Sequence, residues 1–370
     1  MKLKLSSLLL LFWLIPSYGQ QLIKPGALWL DTQGKPINAH GGGILNHEGT
    51  YYWYGEHRAP KGGAKETAVN CYSSTNLHDW KYEGRAISTV DEQNHPLTHG
   101  SIIERPKVIY NQETKKFVLY FHHELKGKGY GAAHHAVAIS DKPTGPFELI
   151  RSGRVNANHW PMNLDSKFKE KVWKSESIEK WWTPNWYKAV EEGLFVQRDL
   201  ENGQMARDCT LYVDDNGKAY HIYSAEENLT LHIAELSDDY LSHTGKYIRI
   251  APGGHNEAPA LFKHKGTYYM ITSGCTGWDP NPARLLVAKD IMGPWKELAN
   301  PCKGELAELT FKSQGTYILP IQGENGAYIF MADRWNKHDL YDSRYIWLPI
   351  QFEDGLPTLR WREEWSIEAW

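Results

Sequence analysis

Residues 256–278 read NEAPALFKHKGTYYMITSGCTGW. After the carboxylate of Glu257 comes a short apolar segment, then a turn pair at Lys265-Gly266, a second segment rich in aromatic residues, and a polar loop ending in Trp278. Apolar and β-branched or aromatic residues bounded by turn residues predict two antiparallel strands joined by a tight turn. The reading places one acid at the mouth of a β-hairpin.

The same pattern recurs along the chain. Five times a glycine- or lysine-marked turn precedes a short aromatic strand: TYYWYGE after Gly49, KFVLYFHHE after Lys115, KAYHIYSAE after Gly217, TYYMITSG after Gly266 and AYIFMADRW after Gly326. Each is preceded by an apolar strand (GGILNH, PKVIYN, CTLYVD, PALFKH, TYILPI) and followed by a further β-rich stretch closed by a turn. Repeats of three or four short antiparallel strands predict an all-β fold, a five-bladed β-propeller whose blades bury their faces against one another. A β-sandwich or a pair of β-domains is the alternative, while the scarcity of helical periodicity argues against an α/β fold. One segment breaks the repeat. Residues 152–204, between the second and third blades, carry Trp160, Trp173, Trp181, Trp182 and Trp186 among charged residues. This insertion is expected to be partly helical, either a lid beside the central cleft or a cover for blade surface.

Composition narrows the function. A near balance of 41 Lys and Arg against 44 Asp and Glu gives no basic field for a nucleic-acid backbone. Sixteen Trp and 21 Tyr suit flat, polar-edged ligands such as sugars, and equally suit a β-core built on aromatic cross-strand pairs. Lys2 and Lys4, the apolar run of residues 8–15 and the approach Ser17-Tyr18-Gly19 read as a signal peptide over residues 1–19, cleaved near Gly19. The expected mature domain, residues 20–370, is then secreted or periplasmic, with no membrane span and as a monomer. Cys71, Cys209, Cys275 and Cys302 show no metal-binding spacing, which leaves one or two bridges or free buried thiols open. Asn228-Leu229-Thr230 matches a glycosylation sequon.

In a propeller, the starts of the innermost strands converge on a central channel. The residues at those positions are His40, Glu104, Asp208, Glu257 and Gln314. Together they would bring three acids, an imidazole and an amide to one cavity; separately, each could be a solvated loop end or a hydrogen-bonded cap. His122-His123 and His134-His135 invite a metal reading, but neighbouring residues of a strand face opposite sides, so each pair offers one ligand to any single site.

At these positions the chain resembles glycoside hydrolase family 43, in particular its exo-β-1,3-galactanase (galactan 1,3-β-galactosidase) branch. The resemblance rests on HGGGIL with TYYWYGE, ERPKVIY, RDCTLYVDDNG, EAPALF, TSGCTGW, and SQGTYILP with ADRW, and spans the mature chain outside the insertion. It implies a five-bladed propeller and an inverting enzyme. Glu257 resembles the general acid, Glu104 the acidic residue that orients substrate and tunes that acid, and Gln314 the glutamine that stands in this branch where a base is needed. Asp208 resembles a sugar-contacting residue. Most family members carry an aspartate base in the first blade, where this chain has Ala39-His40. That base assignment therefore does not transfer. His40, Tyr54, Trp278 and Trp335 are further candidates for contacting substrate, the aromatic ones by stacking, with Thr276 and Asn228 reading hydroxyls. No cofactor is required by the resemblance, although a structural calcium is compatible with it; the sequence holds no calcium-binding loop.

Inversion needs an acid and a base on opposite sides of the sugar, about 6.5–9.5 Å apart, and an acid that keeps its proton near neutral pH. Burial and a neighbouring carboxylate, here expected to be Glu104, would raise Glu257 into that range. Gln314 can act as a base only as the imidic tautomer; otherwise it positions water. The expected function is an exported exo-glycosidase that releases galactose from the β-1,3-galactan backbone of type II arabinogalactan. The alternatives are an α-L-arabinofuranosidase or β-xylosidase of the same family, or a non-catalytic carbohydrate-binding propeller.

Overall fold

A computed structural model describes residues 21–60, 66–321 and 326–367, so the expected signal peptide lies outside the described residues. The first sheet runs β1 (His40–His47), β2 (Thr50–Glu56), β3 (Ala68–Ser74) and β4 (Lys81–Ser88), and the second β5 (Ile102–Asn111), β6 (Lys116–Glu124), β7 (His134–Ser140) and β8 (Glu148–Gly153). Three helices follow, α1 (Ser175–Glu179), α2 (Pro184–Glu191) and α3 (Leu194–Arg198). The third sheet is β9 (Cys209–Val213), β10 (Ala219–Ala225), β11 (Thr230–Leu236) and β12 (His243–Ile250), and the fourth is β13 (Glu257–His264), β14 (Thr267–Ser273), β15 (Arg284–Ala288) and β16 (Lys296–Leu298). After β17 (Cys302–Lys303) come β18 (Gln314–Pro320), β19 (Tyr328–Arg334) and β20 (Arg344–Pro349), which pair with one another, and then β21 (Gln351–Glu353) and β22 (Leu356–Arg360).

The fold is an all-β propeller, but the expectation of five blades is corrected: the described strands form six sheets. The sixth joins β17, β22 and β21, with β17 and β22 parallel. Its strands lie on either side of β18–β20 in the chain, so it has no contiguous repeat for a sequence period to reveal. The insertion is a minor helical feature, with helices of 5, 8 and 5 residues. Among the described residues no helix is long and apolar enough to cross a membrane.

The expected hairpin is present. Lys265 and Gly266 both have positive φ, 48° and 72°, and bring His264 opposite Thr267. That pair of left-handed residues is the tight turn whose twist matches two antiparallel strands.

Strands β1, β5, β9, β13 and β18 pack against one another in closed succession. Four of them carry a register shift near their start, between His40 and Gly43, Glu104 and Lys107, Glu257 and Ala260, and Gly315 and Tyr317. In the first three bulges one residue is left-handed: Gly41 at 58°, Arg105 at 54° and Ala258 at 53°. A bulge bends the strand and re-aims the adjacent side chain. Each left-handed N–H donates to a carboxylate of a neighbouring sheet: Gly41 N to Asp333 Oδ2 at 2.9 Å, Arg105 N to Glu56 Oε1 at 2.9 Å and Ala258 N to Asp208 Oδ2 at 3.2 Å. At Gly41 a Cβ would stand 2.1 Å from Glu56 Oε1, so only glycine fits there.

Most of the aromatic excess is structural. Trp53, Trp80, Trp186 and Trp347 are at most 1% exposed. Trp53 lies 5.0 Å from Trp347 and 4.7 Å from Tyr345 between ring centroids, which packs the first sheet against β20. An antiparallel bridge between Ile23 and Trp365, with N–H to O distances of 2.7 and 3.0 Å, clasps the two ends of the described chain beside this seam.

A buried histidine cluster contributes to the pH response of stability. His221 Nδ1 and His243 Nε2 are 3.1 Å apart, and the His135 ring lies 4.9 Å from that of His243, with Tyr120 and Tyr223 packed around them. Burial pushes all three imidazoles down, His135 to about 4, with Arg151 opposing further charge on His135 and His243. The unfolded chain therefore takes up protons below about pH 6.5 that the folded core refuses, and stability is lost as pH falls through that window. Thermal melts should show the Tm falling between about pH 6.5 and pH 4.5, with a shallower fall in His221→Phe.

Candidate active site

The inner-strand starts converge on a cavity of about 300 Å³ lined by Glu56, Arg58, Glu104, Arg105, His122, Tyr130, Arg207, Asp208, Asn228, Glu257, Gly277, Trp278, Gln314 and Trp335. A larger cavity of about 750 Å³ sits among residues at the opposite ends of the same strands and contains none of these groups.

Glu257 opens β13 and is partly buried. Burial, then the nearby charge of Asp208, raises its carboxyl to about 7, against the opposing pull of Arg105 and the Asn228 and Cys275 hydrogen bonds. Asn228 Nδ2 donates to its Oε1 at 2.8 Å, and Gln314 Nε2 lies 3.5 Å from its Oε2. The like charge that lifts the acid is thus Asp208 rather than the expected Glu104. Asp208 is reached by Arg105 Nη2 at 2.9 Å.

Glu104 is the counterpart. Burial would raise it, but the His122 contact, the Arg58 charge and the Tyr130 hydroxyl outweigh burial and hold it down at about 2. Tyr130 donates to Oε1 at 3.0 Å, Arg58 Nη2 lies 3.3 Å away, and His122 Nδ1 is 3.3 Å from Oε2. His122 is itself gripped on its other side by Glu124 at 2.9 Å. Burial alone would lower it, but the two carboxylates raise it to about 9, so it stands as an imidazolium. Two differently placed carboxylates are thereby separated into one that keeps a proton at neutral pH and one that does not.

Gln314 opens β18, and both halves of its amide are engaged. Oε1 accepts from Arg105 Nη2 at 2.6 Å and from Trp335 Nε1 at 3.0 Å, while Nε2 donates to Ser273 Oγ at 3.0 Å. This is the pattern of an ordinary amide. Trp278 and Trp335 meet edge to face at 5.1 Å, and the Arg58 guanidinium lies 5.7 and 5.9 Å from their ring centres.

Of the ten residues singled out from sequence, Glu104, Asp208, Asn228, Glu257, Trp278, Gln314 and Trp335 line the cavity. Three do not. His40 is 1% exposed, pinned by Asp333 at 2.9 Å and stacked on Tyr345. Tyr54 is fully buried with its hydroxyl on Pro143 O at 2.6 Å, and Thr276 turns to Asp279 O at 2.5 Å. Glu56, Arg58, Arg105, His122, Tyr130 and Arg207 also line the cavity and were not singled out as site residues. Arg105 and Arg207 adjoin Glu104 and Asp208 in sequence, so adjacency was the available signal for those two.

A ligand atom each of Glu104, His122 and Asp208 lie within 4.8 Å of one another, the one such grouping among the described residues. It does not fit calcium, which takes six to eight oxygens: here an imidazolium and the guanidiniums of Arg58 and Arg105 already supply the positive charge. The histidine pairs divide by face as expected, His122 meeting Glu104 and His123 meeting Ser152 Oγ at 2.6 Å. All four cysteines are free, and the Asn228 amide of the sequon is committed to Glu257.

Residues 171–330 match the model for glycosyl hydrolases family 43. Among solved structures, the GH43 β-1,3-galactosidase BT3683 with galactodeoxynojirimycin is 60% identical and superposes with a TM-score of 0.91, over 93% of this chain and 100% of that one. An exo-β-1,3-galactanase from Clostridium thermocellum is 36% identical with a TM-score of 0.75, over 93% of this chain and 66% of that one. A β-D-galactofuranosidase from Aspergillus niger is 32% identical over 79 residues, 21% of this chain and 22% of its own length. With 60% identity across the whole of a solved GH43 enzyme, and with seven of the ten candidate residues gathered in one cavity, the chain belongs to glycoside hydrolase family 43.

Proposed function

We propose that the protein is an exo-acting, inverting β-1,3-galactosidase that removes galactose from the non-reducing end of β-1,3-galactan, as in type II arabinogalactan, and acts after export. The observation that carries the reading is Glu257: a carboxyl raised to about 7 inside a cavity lined otherwise by charged, amide and aromatic side chains. A volume of about 300 Å³ suits a single sugar ring and supports cleavage at a chain end. The activities of the β-1,3-galactosidase and exo-galactanase relatives supply the sugar and the linkage. Residues 1–19 supply the reason for export.

In this mechanism Glu257 gives its proton to the departing glycosidic oxygen. Glu104, ionised throughout the working range, accepts hydrogen bonds from sugar hydroxyls, and Trp278 and Trp335 cover the ring. Gln314 holds Glu257 on one side and presents its amide to the cavity. In the conformation seen here its nitrogen, 3.5 Å from Glu257, stands well inside the about 6.5–9.5 Å that separates acid from base in inverting enzymes. Its role is accordingly to position the acid and the water. The carboxylate reading of the base falls to Glu104, the ionised acid of the cavity.

Galactose released one unit at a time from β-1,3-galactan, and not from arabinofuranoside, xyloside or galactofuranoside panels, tests the assignment; arabinose as the only product refutes it. kcat/KM should fall above about pH 7 as Glu257 loses its proton. Glu257→Gln should cost about 10³-fold on galactan but much less on 2,4-dinitrophenyl β-galactoside, whose leaving group needs no proton. Gln314→Ala should lose at least about 100-fold in kcat while galactose binding persists; turnover like the wild type would remove Gln314 from the mechanism. Azide should restore turnover, as α-galactosyl azide, to Glu104→Gln and not to Gln314→Ala. Rescue of the glutamine variant alone would make Gln314 the base.

A further inference from the structure

The turn between β10 and β11 is made of Glu226, Glu227 and Asn228, and all three are left-handed, with φ of 51°, 60° and 62°. Three consecutive non-glycine residues in that region persist only where surrounding contacts impose it. The contacts are specific. The Glu226 carboxylate is 0% exposed and takes a two-pronged grip from Arg249, Nε at 2.6 Å and Nη2 at 2.7 Å, plus His232 Nε2 at 2.9 Å. Arg249 donates in turn to the last carbonyls of α2, Nη1 to Glu191 O at 2.8 Å and Nη2 to Val190 O at 2.7 Å. Asn163 fixes the backbone of Arg249 from the insertion, accepting its N–H at 3.0 Å and donating to its carbonyl at 2.7 Å.

The far side of the turn faces the acid. Asn228 Nδ2 donates to Glu257 Oε1 at 2.8 Å, and its carbonyl accepts from Asn256 N at 2.9 Å. His255 N donates to Leu229 O at 3.2 Å. The turn thus lies between the helical insertion and the two residues, His255 and Asn256, that lead into β13.

From this geometry we propose that Glu226 and Arg249 are positioning residues: they hold the left-handed turn that presents the Asn228 amide to Glu257, and so make the insertion part of the support for that carboxyl. The proposal deepens the acid reading of Glu257 and rests on it. Neither residue lines the cavity, and the lid or cover role considered for the insertion does not require this linkage.

The test reads the Glu257 carboxyl itself. The groups that face it are Asp208, Arg105, Gln314, Cys275 and Asn228; the Asn228 amide belongs to the turn and the Cys275 thiol leans on it, donating to Asn228 O at 3.4 Å, while the other three are held elsewhere. The Glu257 titration, which reads both turn-borne contacts, is followed by carbon-13 NMR on glutamate-labelled protein, with Glu257→Gln identifying the signal. Asn228→Ala should raise the midpoint by about one pH unit, because the ionised form loses a donor. Glu226→Gln should raise it in the same direction by a smaller amount, without touching Glu257. If Glu226→Gln does not fold, Asn163→Ala, which removes two hydrogen bonds from the Arg249 backbone, decides in its place. A midpoint unmoved in the folded turn variant, or unmoved in Asn228→Ala, overturns the proposal. The basic limb of kcat/KM should move with the NMR midpoint. Failure of the wild type to release galactose would overturn the functional reading alone, since the titration needs no substrate.

Discussion

The site depends on a contact repeated around the channel: the N–H of a left-handed bulge residue donating to a carboxylate of a neighbouring sheet. Gly41 reaches Asp333, Arg105 reaches Glu56, and Ala258 reaches Asp208. Each contact does two things. It satisfies a backbone donor that the bulge has removed from the strand ladder, and it locks the rotation of one sheet against the next at the level of the cavity. Because the bulge follows the first residues of the strand, the side chain just before it is turned toward the channel. Glu104 and Glu257 owe their placement to this device.

Electrostatics then assigns different work to chemically similar groups. Glu104 and Glu257 are both carboxylates on the wall of one cavity, yet cations surround the first, whereas the second has a carboxylate neighbour and neutral amides. Arg105 connects the two halves, reaching Asp208 and the Gln314 oxygen from a residue adjacent to Glu104. Loss of its guanidinium would release Asp208, the Gln314 oxygen and the Gly315 carbonyl together, so the cavity is better regarded as one charge network than as separate residues.

Much of this was legible in the chain. Turn pairs such as Lys265-Gly266 and the aromatic strands after them gave the sheets, residues at the starts of the innermost strands gave four of the cavity's side chains, and the family resemblance added Asn228, Trp278 and Trp335. What was not legible has identifiable causes. The sixth sheet is assembled from segments that flank β18–β20, and a period search finds only contiguous repeats. His40 occupies the equivalent position to Glu257, but the carboxylate of Asp333 draws its ring into the core. Tyr54 alternates to the inter-sheet face, where its hydroxyl finds a carbonyl. The partner that lifts Glu257 could not be chosen from sequence, since Asp208 and Glu104 differ in what surrounds them and not in type. Trp content was ambiguous for a similar reason: the same residue that covers a sugar also seals a seam.

The seam between the first sheet and β20 carries a mechanical consequence. It is closed by the Ile23–Trp365 bridge and the Trp53–Trp347 packing, and the nearby His40–Asp333 and Gly41–Asp333 contacts cross between the same two sheets. Tension applied at the two clasped segments would load a bridge of two hydrogen bonds end-on, so it would open like a zip while the four-stranded sheets still held. The ring would then part on the side where Asp333 meets β1. The clasp, which the Trp365 indole also ties to Trp347 O at 2.9 Å, thereby connects the two ends of the described chain to the shape of the cavity.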